Sequence, residues 1–182
     1  MRVITGTARG RVLRTLEGED VRPTTDRVKE AVFSIIQFEI EGRRVLDLFA
    51  GSGQLGIEAL SRGAASATFV DMSKDSLSTV KYNLEHTKLQ DNAMVLQTDA
   101  ISFLKLTNEK FDIVFLDPPY ASTLVADSLR VLPDRVADGG CVICETPAAA
   151  ELPEKVGSLA LYRSYRYGKI KITVYRKEAD DQ

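Results

Sequence analysis

The sequence predicts an α/β fold in which a parallel β-sheet is followed by a terminal β-hairpin. From residue 43 onward, short apolar runs of strand length alternate with segments of helical periodicity, an alternation typical of repeated βαβ units. Near the end of the chain, two strand-like runs flank Gly168 directly, which is the pattern of a hairpin. A length of 182 residues is that of a single domain.

Five apolar runs account for the parallel strands, and helical segments separate them. The strands are predicted at residues 43–49, 66–70, 93–97, 111–116 and 141–145. Helices are predicted at 55–62, from a cap at Ser73 onward, at about 99–106 and near 122–132, and the hairpin strands at 159–167 and 170–175. Ser73 suits an N-cap because its hydroxyl can accept a hydrogen bond from a backbone N–H of the first turn.

Residues 1–42 do not follow the βαβ alternation and are predicted to be an N-terminal extension. The extension comprises a basic arm rich in Arg and Gly, an Arg-Pro-Thr-Thr loop that begins at Arg22, and a helix whose apolar stripe docks on the body. Thr25 or Asp26 is the expected N-cap of that helix. The α/β core is then predicted to span residues 43–177, with an acidic tail at 178–182.

Composition and charge limit the classes of protein to which the chain can belong. Apolar residues make up 44% and charged residues 27%, so a sizeable core can form and a disordered or collagen-like chain is excluded. Residues 1–14 carry four arginines and no acid, and residues 155–177 carry seven basic residues and no acid, although the formal net charge is -2. Basic ends around an acidic middle suit a catalytic domain with a polyanion-binding surface at its edge. Lysines and arginines that are simply solvated explain the charge distribution equally well.

The two cysteines, Cys141 and Cys144, are expected to be structural. A zinc site needs four ligands, whereas the sequence offers only these two cysteines and His86, so no metal site is predicted. Residues three apart in a strand point to opposite faces, so the two thiols are expected to be buried separately.

The chain is expected to be a cytoplasmic monomer. Its longest apolar runs, such as residues 113–116, are far shorter than the roughly 18 residues that suggest a membrane span. The first residues lack the apolar stretch of a secretory signal, and the cysteine content fits a reducing compartment.

A glycine-rich turn after the first strand indicates a nucleotide site. Gly51, Gly53 and Gly56 follow the G-x-G-x-x-G spacing between a strand and a helix, where backbone can approach a ligand closely. Asp71 ends the second strand, where a carboxylate can accept hydrogen bonds from both ribose hydroxyls. The pattern alone also suits NAD.

Two further features favour a different ligand from a dinucleotide. Asp47 precedes the glycines, and its carboxylate could meet a cationic amino group. Residues 117–120 read Asp-Pro-Pro-Tyr at the end of the fourth strand, and consecutive prolines fix a rigid, non-helical turn there.

Together these motifs resemble those of the Rossmann-like class I S-adenosylmethionine-dependent methyltransferases that modify exocyclic amines. Residues 47–56 match their first motif, and residues 117–120 match their catalytic motif. Residues 1–11, 22–33 and 49–63 are similar to the bacterial RsmD-like family of 16S ribosomal RNA guanine-N2 methyltransferases. The resemblance implies S-adenosyl-L-methionine as cofactor and the N2 of one guanine, guanine 966 of 16S rRNA, as acceptor.

The resemblance also implies roles for individual residues. The methionine part of the cofactor is assigned to Asp47 and the turn, the ribose to Asp71, and the adenine to Met72 and Asp99. The full set of implied cofactor-binding residues is Asp47, Phe49, Gly51, Gly53, Gly56, Asp71, Met72, Asp99 and Ala100. Without the resemblance, a simple helix N-cap is the alternative explanation of Asp99.

The implied catalytic residues are Asp117, Pro118, Pro119 and Tyr120. The Asp117 carboxylate and the Pro118 carbonyl can accept hydrogen bonds from an NH2 group, and Tyr120 can stack on an extruded base.

The implied substrate is 16S rRNA within the small ribosomal subunit or an assembly intermediate. Its contacts are expected from Arg2, Arg9, Arg11, Arg22, Thr24, Thr25 and Arg27.

Other functions remain open on the residues alone. Adenine N6 in DNA and glutamine N5 in a protein are alternative acceptors, although few residues remain for a DNA-reading domain. A non-catalytic RNA- or nucleotide-binding module is the alternative from a different class of protein.

Overall fold

The computed structural model describes residues 1–17, 26–120 and 122–179 and shows one eight-stranded sheet within those ranges. The strands are β1 Arg44–Asp47, β2 Ser66–Asp71, β3 Ala93–Gln97, β4 Phe111–Leu116, β5 Val136–Pro147, β6 Lys155–Val156, β7 Leu159–Tyr167 and β8 Ile170–Lys177. The helices are α1 Asp26–Ile35, α2 Gln54–Ser61, α3 Lys74–Thr87, α4 Ala100–Leu106 and α5 Leu124–Val131. Short 3-10 turns precede β3 and β5.

The strand order is β3-β2-β1-β4-β5-β8-β7-β6. The first five strands in this order pair in parallel, and β8, β7 and β6 continue the sheet in antiparallel pairs. The predicted parallel sheet with a terminal hairpin is therefore confirmed. Since β1 has β2 on one side and β4 on the other, the order reverses beside β1, and ligands in such sheets bind outside the carboxyl ends of the strands at that point.

Two strands differ most from the sequence prediction, whereas the bounds of β1, β2 and β8 differ from it by one or two residues. β5 is longer than the expected residues 141–145 because Val136 already pairs with Phe111, whereas Cys141 pairs with Ile113. The extra residues between these two pairs form a bulge that contains Gly139, whose φ of 73° a glycine adopts without strain. The two-residue strand β6 was not predicted, and it lies at the edge of the sheet beside β7.

Helices cover both faces of the sheet, and each face has its own apolar core. α1, α2, α3 and the N-terminal segment pack on one face, where Phe33, Ile57 and Phe69 are fully buried. α4 and α5 pack on the other face, around Leu104 and Leu129. The apolar stripe of α1 thus docks on the body as predicted.

The cysteines lie in β5 and are free and buried. Cys141 belongs to the core that α1 covers, and Cys144 belongs to the core under α4 and α5. The prediction of two separately buried thiols is confirmed.

The N-terminal segment folds back on itself and is held against α2. Val3 donates its N–H to the Arg11 carbonyl at 2.9 Å, and Arg2 pairs with Val12 in an isolated bridge. The backbone N–H groups of Ile4 and Thr5 donate to the Glu58 carboxylate at 2.9 and 3.0 Å.

The predicted helix caps have mixed outcomes. Ser73 caps α3 by accepting a hydrogen bond from the Ser76 N–H at 3.2 Å, as predicted. Asp26 is the first residue of α1 and lies inside the helix, where its negative charge favours the N-terminal end. Thr25, the other candidate cap of α1, lies outside the described residues. Within the described ranges, no helix combines the length and apolarity needed to span a membrane.

Candidate active site

The glycine-rich turn between β1 and α2 adopts a backbone that requires glycine. Gly53 has a φ of 83° and is the N-cap residue of α2. A Cβ on Gly56 would lie 2.4 Å from the Phe69 ring, so only glycine lets α2 pack this closely on β2. The Gly56 N–H donates to Asp47 Oδ2 at 3.0 Å. The buried Asp47 carboxylate therefore ties the end of β1 to the first turn of α2.

Asp71 joins the same turn to the end of β2. Its Oδ2 accepts the Gly51 N–H at 3.0 Å, and its Oδ1 accepts the Ser73 N–H at 2.8 Å. A carboxylate has about four acceptor sites, so Asp71 retains the capacity to accept hydroxyl donors from a ligand. The two backbone hydrogen bonds fix the orientation of the Asp71 carboxylate at the edge of the sheet.

A cavity of about 480 Å³ opens at this edge, within the range of small-molecule sites. It is lined by Leu16, Glu17, Leu48, Phe49, Gly51, Asp71, Met72, Ser76, Thr98, Ala100, Asp117, Pro119 and Leu124. The carboxyl ends of β1, β2, β3 and β4 thus converge on one cavity, at the position that the strand order favours.

The lining of this cavity fits a nucleoside. Asp71 supplies a carboxylate for ribose hydroxyls, and the side chains of Met72 and Ala100 supply apolar surface for a base. Met72 is 70% exposed, so its apolar side chain is available to cover a ring. These residues match the requirements of the adenosyl group of S-adenosylmethionine.

Four of the implied cofactor residues, Asp47, Gly53, Gly56 and Asp99, do not line the cavity. Asp99 caps α4 by accepting the Ser102 N–H at 3.0 Å, and its hydrogen bonds with Ser102 lower the pKa of the carboxyl group. Asp99 lies between two cavity-lining residues, Thr98 and Ala100. A contact from Asp47 or Asp99 to the cofactor stays a prediction.

The Asp-Pro-Pro-Tyr turn separates the large cavity from a second one. Asp117 is half-buried and lines the large cavity, whereas Tyr120 lines the second cavity, which has a volume of about 200 Å³. Pro119 lines both cavities. The turn therefore forms the boundary between a nucleoside-sized site and a smaller neighbouring one.

The second cavity contains an acidic residue that the sequence analysis missed. The Tyr120 hydroxyl donates to Glu145 Oε1 at 2.8 Å, and Glu145 is only 5% exposed. A signal in the sequence could have indicated it, because Glu145 stands at the end of the apolar run of β5. Asp47, Asp71 and Asp117 likewise end or directly follow their strands. Leu16 and Glu17, which line the large cavity, had no such signal because they lie far from the strand ends in sequence.

The described residues expected to contact RNA lie on two elements. Arg2, Arg9 and Arg11 are exposed on the N-terminal segment. Arg27 is exposed on the first turn of α1. Arg22, Thr24 and Thr25 lie outside the described residues.

Comparisons with known proteins agree with this geometry. The solved structure of the yhhF protein of Escherichia coli is 37% identical, with a TM-score of 0.89 and 99% of both chains covered. Escherichia coli ribosomal RNA small subunit methyltransferase D is 36% identical over 100% of this chain and 92% of its own length. A Thermus thermophilus 16S rRNA N2 G1207 methyltransferase, solved with AdoMet and guanosine, has the same fold at a TM-score of 0.74 and 24% identity, covering 90% of this chain and 45% of its own.

The fold and the cavity at its carboxyl edge define a class I methyltransferase, the class of enzymes that uses S-adenosylmethionine. A family model described as "Conserved hypothetical protein 95" matches residues 1–176, and the chain belongs to this family, that of the RsmD-like proteins. The fold class, the enzyme class and the family that the motifs indicate are therefore confirmed.

Proposed function

We propose that this protein transfers a methyl group from S-adenosylmethionine to the exocyclic N2 of a guanine in 16S ribosomal RNA. The named relative in Escherichia coli is a ribosomal RNA small subunit methyltransferase, and the similarity covers the whole of this chain. Guanine 966 is the proposed position. The observation that supports this function best is the position of the Asp-Pro-Pro-Tyr turn between the two cavities.

This position would bring an acceptor base to the cofactor. Asp117 lines the nucleoside-sized cavity, and Pro118 and Tyr120 line the smaller one. A base in the smaller cavity would present its edge to the turn, beside the cofactor in the larger cavity. Holding two reactants next to each other in this way lowers the entropic part of the barrier.

The groups of the turn suit the chemistry of a guanine amine. The N2 lone pair is delocalised into the ring, so the amine is a weak nucleophile. The Asp117 carboxylate and the Pro118 carbonyl would accept hydrogen bonds from the two N2 hydrogens and stabilise the positive charge that develops on nitrogen. When bound, S-adenosylmethionine supplies an electrophilic methyl group on a sulfonium centre. One N2 proton must then leave, and Asp117 would receive it.

The substrate's phosphates would be contacted by the N-terminal extension, residues 1–42. Arg2, Arg9 and Arg11 are exposed there, and Arg27 is exposed on α1. From the family resemblance, we also assign RNA contacts to Arg22, Thr24 and Thr25. The proposed substrate form is the small subunit or an assembly intermediate, and the proposed state is a monomer in the cytoplasm. The α/β core at 43–177 would carry the chemistry, with the acidic tail at 178–182 outside it.

The test is nucleoside mass spectrometry after incubation of the protein and S-adenosylmethionine with unmodified small ribosomal subunits. Free 16S rRNA and duplex DNA are incubated in parallel. We expect N2-methylguanosine from the subunit sample, and mapping of the modified nucleotide to position 966. Methylated adenine in DNA would replace this proposal by the DNA methyltransferase alternative. Cofactor binding with no methylated product in any sample would favour a binding module.

A further inference from the structure

We propose that Glu145 is the residue that selects guanine, by accepting a hydrogen bond from the N1–H of the acceptor base in the smaller cavity. This inference rests on the proposed function. It goes further because it assigns base selection to a carboxylate on β5, outside the motifs that indicate the cofactor and the catalytic turn.

The register of the sheet places Glu145 beside the catalytic turn. Cys144 pairs with Leu116 in the parallel ladder between β5 and β4. The next residue on each strand, Glu145 and Asp117, therefore occupies the same level at the carboxyl edge, and neighbouring strands are about 4.8 Å apart. Two carboxylate-bearing residues are consequently at neighbouring strand ends, and Pro118 follows one of them directly.

Glu145 and Asp117 together match the edge of guanine that carries its hydrogen-bond donors. N1–H and the N2 amine are adjacent on that edge, so one carboxylate can accept from N1–H while Asp117 and the Pro118 carbonyl accept from N2. Adenine has an unprotonated N1 in the corresponding place, and its lone pair would face the Glu145 carboxylate. Reading an extruded base through this edge is the common way in which enzymes recognise flipped nucleotides.

The surroundings of Glu145 strengthen this selection. The side chain is 5% exposed, and an interaction with a buried charged group discriminates more strongly than one in water. The Tyr120 hydroxyl donates to its Oε1 at 2.8 Å, which fixes the direction of the carboxylate and holds the ring at the wall of the cavity. A carboxylate has about four acceptor sites, so it can take the N1–H in addition. The cavity of about 200 Å³ is below the usual size for drug-sized ligands and suits a single base.

The experiment compares guanine with 2-aminopurine, which keeps the 2-amine but has no N1–H. Small subunits are reconstituted with ligated 16S rRNA that carries either base at the position that the wild-type protein methylates. kcat/KM is measured on both substrates for the wild type and for Glu145→Gln. The wild type should prefer guanine by about 10- to 100-fold, the size of a good base-edge contact. Glu145→Gln should reduce this preference at least about tenfold, because an amide can also donate to an unprotonated N1.

Two further variants separate selection from general effects. Tyr120→Phe keeps the ring and removes only the hydroxyl that orients the Glu145 carboxylate, so it should reduce the preference for guanine in the same direction as Glu145→Gln, but to a smaller extent. Glu154→Gln removes an exposed acid outside the cavity lining and should change neither rate nor ratio. Thermal unfolding of each variant is measured alongside.

The outcomes distinguish the inference from the proposed function. If the wild type methylates guanine and 2-aminopurine equally well, Glu145 does not read N1–H, and this holds even if Glu145→Gln fails to fold. If Glu145→Gln lowers both rates by the same factor, the residue only positions Tyr120 and the inference is overturned. If the wild type methylates no guanine at all, the proposed function itself fails.

Discussion

Single residues at the carboxyl edge of the sheet divide into those that hold the site together and those that face a ligand. Asp47 and Asp99 use their carboxylates on backbone N–H groups of the helices that follow them. Asp117 and Asp71 line the large cavity, and Asp71 also holds the turn at Gly51. The four aspartates look alike in the sequence, since each ends or follows a strand, yet only two of them contribute to the cavity surface.

Asp117 gives the prediction at this scale. Asp117→Ala should lower kcat by about 10²-fold or more, because it removes the hydrogen-bond acceptor that we propose to act where charge develops. The dissociation constant of S-adenosylhomocysteine, measured by calorimetry, should change only a few-fold. Asp117→Asn keeps an acceptor oxygen and should retain more activity than Asp117→Ala. Unchanged turnover in the alanine variant would contradict the catalytic role.

The sequence could predict residues whose role depends on local backbone chemistry. Ser73 as an N-cap and the glycines of the turn follow from hydrogen-bonding capacity and from allowed φ values, which are properties of a few adjacent residues. Glu145 and Leu16 could not be assigned in the same way. Their roles depend on register between strands and on a segment that returns to the sheet edge from far away in sequence.

One part of strand β5 could be predicted from the sequence, and another part could not. Its apolar run from Cys141 to Glu145 identified it as a buried strand, and burial on both faces is what such runs indicate in parallel sheets. The apolar run predicts a strand that begins at residue 141, after Gly139 and Gly140. In the structure it begins at Val136, and the two glycines lie in the bulge opposite β4. A bulge depends on the partner strand, so the glycines alone do not distinguish it from a turn.

The burial of β5 leads to a prediction about its two thiols. Burial raises the pKa of Cys141 to about 12 and also raises the pKa of Cys144. Because the thiolate is the reactive form, neither thiol should react with Ellman's reagent in the native protein at pH 8. Both thiols should react rapidly once guanidinium chloride has unfolded the protein. This control shows that both are present and reduced. Rapid reaction of either thiol in the native protein would show that β5 is not packed on both faces as described.

At the scale of the whole molecule, a buried ionic cluster joins the N-terminal segment to the α/β core. Glu58 on α2 is fully buried and lies 3.3 Å from Lys29 Nζ on α1 and 3.0 Å from Arg62 Nε. Its carboxylate also accepts the N–H groups of Ile4 and Thr5. Burial lowers the pKa of Lys29, and the nearby Glu58 charge acts in the opposite direction. One carboxylate therefore connects α1, α2 and the segment that carries the exposed arginines.

Removal of this carboxylate should loosen the N-terminal segment and destabilise the fold. Glu58→Gln leaves the Lys29 ammonium buried without its counter-charge, and breaking a buried ion pair on one side costs about 3–5 kcal/mol. The free energy of unfolding, from urea titration, should fall by about that amount. The amides of Ile4 and Thr5 should exchange hydrogen faster, because an amide side chain supplies a single acceptor oxygen in place of two.

Two further variants test whether the cost comes from the unpaired charge. Glu85→Gln removes an exposed acid on α3 and should change stability by less than about 0.5 kcal/mol. The double variant Lys29→Met with Glu58→Gln removes the Lys29 charge together with its partner, and it should recover part of the loss because the fully buried ammonium is no longer left unpaired. If the free energy of unfolding of the double variant instead falls below that of Glu58→Gln by as much as Lys29→Met costs on its own, the two substitutions are additive. In that case the two side chains act independently. The stability cost of Glu58→Gln would then not come from the unpaired Lys29 charge.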